Sequence, residues 1–180
     1  LCNRKDRNMK CILGITFLMV SSFVYSSSIE DAVSLGNSLT EAVRSKSSMK
    51  LKRIDNYKEI KAFLKQNKCP GFKYKAYSLP EKNKFYLVAS KGKSIIVGRH
   101  FSGALSGDSV DISSLFSSTN GCINLGTPKK DTTAIFVTHL KPEPNEFHVL
   151  QSNLANIALY VSAKGALYSV SGGNISEVEK

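Results

Sequence analysis

Four side chains able to hold a metal ion fall within one ten-residue stretch, HLKPEPNEFH: His139, Glu143, Glu146 and His148. Two imidazoles and two carboxylates are suitable Zn²⁺ ligands. Their spacing follows no zincin pattern, and Pro142 and Pro144 set His139 at a strand end and His148 inside the next helix. Glu143 and Glu146 also suit a helix N-terminus, where the dipole favours negative charge. The reading is therefore no metal, with His139, His148 and Glu146 kept as the alternative ligand set. A second chemistry is electrostatic. Lys58, Lys61, Lys65 and Lys68 recur at three- and four-residue spacing and share one helical face. Lys73 and Lys75 share one face of a strand, with Tyr77 beside them. Tyr74 and Tyr77 offer stacking surfaces for bases or sugars. These eight residues form the candidate anion-binding set, with Lys58, Lys61, Lys65, Lys73 and Lys75 expected on one contiguous face.

The third chemistry belongs to cysteine. The segment Ser118–Leu125 (STNGCINL) resembles the nucleophile segment of the L,D-transpeptidases. These are exported cysteine enzymes of peptidoglycan cross-linking, whose signature runs Ser-x-Gly-Cys with an Arg shortly after. The resemblance implies Cys122 as nucleophile and an upstream His as its activating base, and His100 lies 22 residues before it. A thiolate needs such a neighbour. The likeness covers eight residues of 180, and Asn120 and Asn124 stand where the family has His and Arg. Cys69 competes for the same sulfur, because two cysteines in an exported chain suggest one disulfide, Cys69–Cys122. The expectation is thus no catalytic residue, with Cys122 and His100 as the enzyme alternative. No Ser-His-Asp elbow, P-loop or dinucleotide fingerprint is present, and no cofactor is expected.

These residues need elements to position them. Residues 29–44 (IEDAVSLGNSLTEAVR) have apolar positions at helical spacing, weakened by Gly36 in the middle. A polar, basic linker follows at 45–53. A second helix over 56–67 starts at Asp55 as N-cap and stops before Cys69-Pro70-Gly71. The period then changes to two at 72–78. Apolar runs at 84–90 and 93–99 flank Lys91-Gly92, which reads as a hairpin turn. Residues 102–120 read as a Ser/Gly-rich loop with a short turn near 110–116. Strands are expected at 122–125 and 133–140, a helix at 145–156, and short strands at 159–162, 167–171 and 175–178. Helices followed by strands, one helix and more strands give an α+β fold with a mainly antiparallel sheet, two N-terminal helices and one helix near 145–156.

The chain has 25 Lys and Arg against 14 Asp and Glu, a formal net charge of +11. The excess is local. Between Arg44 and Arg99 there are 16 bases and three acids, a net +13, whereas 100–180 carries a net −2. From Met9 a basic start, an apolar run from Cys11 to Tyr25 and the serines at 26–28 follow the layout of a secretory signal peptide. Residues 1–26 are read as that signal, with 1–8 outside the native mature sequence. Residues 27–53 then form an N-terminal helix and basic linker, and 54–180 a single α+β domain. The function expected is an exported, non-enzymatic binding protein of periplasmic or extracellular location. A host-facing, virulence-associated bacterial factor fits. Its lysine-rich surface would bind a polyanion, an acidic membrane surface or an acidic protein. A protein partner is the alternative use of the helix at 29–44.

Overall fold

The structure is a computed structural model that describes residues 28–117 and 119–179. The signal-peptide reading of 1–26 and Ser118 of the cysteine segment lie outside the described residues. Helix α1 spans Ile29–Arg44. The Ser28 side chain caps it by accepting from Asp31 N–H, Glu30 and Asp31 complement the dipole in the first turn, and Arg44 sits in the last turn. Helix α2 spans Tyr57–Asn67. Its N-cap is Asn56 rather than Asp55, and the Asn56 amide is used elsewhere. It donates to Val110 O at 2.6 Å and accepts from Val110 N–H at 3.1 Å, tying the helix start to the neighbouring sheet.

The strands form two sheets. The first has the order β1-β2-β3-β4, with β1 at Lys73–Leu79, β2 at Lys84–Ser90, β3 at Phe101–Ser106 and β4 at Ser109–Val110, all antiparallel. The second sheet starts with β5 at Ala134–His139, which is parallel to β6 at Ala158–Ala163. Helix α3, Glu146–Ala155, is the crossover between them. Strands β7, Ala166–Ser171, and β8, Asn174–Glu177, complete that sheet as an antiparallel meander. The α+β expectation therefore holds, with two sheets.

Helix α3 is the centre of the molecule. Seven of its ten residues, Glu146–Ser152, are buried. Phe147 and Leu150 pack with Leu39 of α1 and with Tyr77, Leu79, Tyr86 and Val88 of the first sheet. Val149 packs with Leu159, Val161 and Val170 of the second. The opposite face of the first sheet (Ala76, Phe85, Leu87, Phe101) is covered by Ile60, Phe63 and Leu64 of α2. Strand β2 is thus apolar on both faces and buried along five consecutive residues.

The N-terminal helix packs tightly on α3. Its buried residues, Ala32, Gly36, Leu39 and Thr40, form one stripe. The apolar surface that the protein-partner alternative needs is therefore largely covered inside the fold. Gly36 is the crossing point: a Cβ there would lie 2.5 Å from Val149 Cβ and 2.8 Å from Glu146 O. The glycine that weakens the helix in sequence is what lets two helices touch. Alanine has about 1 kcal/mol better helix propensity than glycine. Gly36→Ala is nevertheless expected to lower stability by about 2 kcal/mol through overpacking. Urea unfolding checks the sign, and a stabilised variant would overturn the account.

Three local readings are corrected. Residues 93–99 do not form a hairpin partner for β2, whose neighbours are β1 and β3. They carry a single bridge, Ile96 to Asn124. Residues 102–120 are not simply loop, because they supply most of β3 and all of β4. The segment 122–126 is a strap rather than a strand. Ile95 exchanges backbone bonds with Leu125 and Gly126, and Val97 N–H donates to Ile123 O.

Candidate functional site

The Cys69–Cys122 disulfide joins the end of α2 to this strap, with Cα atoms 5.6 Å apart. Cys69 is fully buried, and its N–H donates to the Tyr74 hydroxyl at 3.1 Å, which in turn donates to Arg99 O at 3.1 Å. Tyr74 also packs on Phe101, ring centroids 5.9 Å apart, so its work is structural and its ring faces α2. Two observations bear on the cysteine-nucleophile alternative. Cys122 holds a disulfide rather than a free thiol. His100 is buried and fully used: Nδ1 accepts from Ala89 N–H at 3.0 Å and Nε2 donates to Ile96 O at 2.8 Å. Burial pushes its pKa down to about 4.

The other two histidines are also buried. His148 closes the capping box of α3, accepting from Asn145 N–H at 3.1 Å. Burial first, then the neighbouring His139 and His100, push its pKa down to about 3. His139 packs edge-on against it at 4.7 Å, and His139 Nε2 is buried without a partner. Burial, then Lys141, lowers its pKa. Glu146 is turned to Lys84, Ser102 and Tyr86, and burial raises its pKa. Among the described residues no group of three or more His, Cys, Asp or Glu side chains is placed to hold a metal ion. The set His139, His148 and Glu146 is therefore not assembled as a metal centre.

The lysines divide differently from their sequence spacing. Lys58, Lys61, Lys65 and Lys68 are exposed on or just beyond α2. Strand alternation puts Tyr74 and Ala76 under α2, and Lys73, Lys75 and Tyr77 on the other face of the sheet. The first sheet thus separates the two lysine groups.

Lys75 instead joins Lys93, Lys129 and Lys130 around a cleft of about 620 Å³. The lysines come from β1, from the turn after β2 and from the segment that follows the strap. Tyr77 and Val88 of the sheet, Val43 of α1, and Leu154 and Ile157 at the end of α3 give it apolar walls. Among the described residues no Asp or Glu lines it. The carbonyl end of α3, which would repel an anion, is capped: Asn156 in the left-handed region and Ile157 both donate to Ser152 O. A second cleft, of about 530 Å³, lies between the strap and β5, and includes Asn120, Ile123, His139, Leu140 and His148.

Lys129 and Lys130 escape a reading by regional charge, because they sit in a stretch whose net charge is negative. The signal available in sequence was the adjacent pair itself, next to Pro128 and outside any periodic element. Comparison of the chain with protein-family models, curated proteins and solved structures finds no match. Among the described residues no helix is long and apolar enough to cross a membrane.

Proposed function

We propose that the protein is an exported, non-enzymatic binding module that docks an anionic partner in the lysine-rimmed cleft. The observation that carries the reading is the convergence of Lys75, Lys93, Lys129 and Lys130, from three separate segments, on one concavity with no carboxylate in its lining. Like charges gathered without counter-charges repel one another, and a bound anion removes that cost. The disulfide supports export, because such bonds persist in oxidising compartments.

Retention on a heparin column tests the reading. The protein is expected to bind at low salt and to elute progressively as salt screens the contacts. Lys75→Gln, Lys93→Gln, Lys129→Gln and Lys130→Gln combined should weaken binding by about tenfold or more. The matched quadruple change at Lys58, Lys61, Lys65 and Lys68 should cost much less. Equal losses in the two variants would reduce the effect to net charge and overturn the cleft as the site.

A further inference from the structure

The cleft contains one group that its lysine rim does not explain. Gln151 lines it from α3 and is 6 % exposed. Its Oε1 accepts from Ile96 N–H at 3.2 Å, which fixes the orientation of the amide. That leaves Nε2, with two hydrogens, needing acceptors. The atom within reach is His100 Nε2, at 3.4 Å. His100 Nδ1 accepts from Ala89 N–H, so the ring proton is on Nε2, where it donates to Ile96 O. A donor therefore faces a donor, and the Gln151 amide has no acceptor from His100. Rotating the amide would turn Oε1 to the His100 ring proton but set the NH₂ against Ile96 N–H, so the NH₂ would still lack an acceptor. A buried donor without an acceptor costs about 1–3 kcal/mol.

We propose that the cleft takes a small amphipathic anion, a single phosphate, sulfate or carboxylate attached to an apolar body. Its oxygen would accept from Gln151 Nε2 and meet the lysine rim, while its apolar part lies on Val43, Val88, Leu154 and Ile157. This rests on the anion-binding reading above and narrows it. A long polyanion satisfies the exposed lysines without reaching Gln151. A molecule with one oxyanion and one apolar end answers both the orphaned amide and the apolar walls.

The probes are octyl phosphate below its micelle concentration, inorganic phosphate and octyl glucoside. Titration calorimetry should show octyl phosphate binding about tenfold or more tightly than either, because head and tail are both recognised. Proton–nitrogen NMR should show the Gln151 side-chain amide moving with octyl phosphate and not with octyl glucoside. Gln151→Met should weaken octyl phosphate about tenfold while leaving heparin retention within twofold. If that variant does not fold, the amide resonance of the native protein decides alone. Inorganic phosphate binding as tightly as octyl phosphate would overturn the inference, as would an unmoved Gln151 resonance. Heparin retention through the four cleft lysines with no octyl phosphate binding would sink the inference and leave the broader reading standing. No binding of any anion would sink both.

Discussion

Cys69→Ala with Cys122→Ala should lower the free energy of unfolding by about 4 kcal/mol. The bridge spans a sequence separation of 53, and closing such a loop in the unfolded chain removes about that much conformational entropy on the chain-entropy model. Alanine suits position 69, which is fully buried. Urea unfolding of the oxidised protein, the protein with reductant and the double variant should place the last two together, well below the first. A loss below about 1 kcal/mol would mean that the strap is already held without its covalent tie. The tie also bears on the cleft. Lys129 and Lys130 follow just beyond the strap, whose other anchors are the backbone bonds to Ile95 and Val97. The close fit of Gly98 under Gly121, where a Cβ on Gly98 would collide with Gly121 O, depends on the same arrangement. Under reductant, the protein should therefore elute from heparin at lower salt even where it stays folded.

How far the sequence speaks for this molecule depends on the range of the interaction. Helix α1 was legible to the residue, because helical periodicity is local. Strands β6, β7 and β8 were legible to within one residue at their ends, because Lys164-Gly165 and Gly172-Gly173 supply left-handed turns between apolar runs. Lys91-Gly92 offers the same signal, and Gly92 does turn. Yet β2 pairs with β1 and β3 instead, since pairing is decided by what covers each edge. The functional residues show the same division. Lys58, Lys61 and Lys65 are exposed along α2, and Lys68 follows as its C-cap. Their union with Lys73 and Lys75 failed because one residue of strand register decides which side of a sheet a side chain meets. Gln151 was invisible for a different reason. Its significance lies in a donor facing the wrong tautomer of a histidine 51 positions away, and nothing local encodes that.

Acidification should destabilise the fold steeply between about pH 6.5 and pH 4. Unfolded histidines protonate near pH 6.5. In the fold, His100 is held down to about 4 and His148 to about 3, and His139 is also lowered. A group with a depressed folded pKa stabilises fully above its unfolded value, and the contribution drains away as pH falls toward the folded value. Near pH 5, His100 and His148 should each have lost about 2 kcal/mol. The groups around them explain why neither gains compensation. His100 meets Phe147, the Gln151 amide, Ala89 N–H and Ile96 O. His148 meets His139, His100 and Asn145, and His139 meets Lys141. No carboxylate is among them. Glu146 works with the opposite sign: its pKa is raised in the fold, so the folded state takes up that proton first and offsets part of the loss. The net slope of stability against pH should therefore lie between about one and two protons, or roughly 1.4–2.7 kcal/mol per pH unit. Glu146→Gln removes the offset and should steepen it. Urea titrations at half-unit steps measure both slopes. A flat profile from pH 7 to pH 5, or a shallower slope in Glu146→Gln, would show that these side chains do not govern the acid limb.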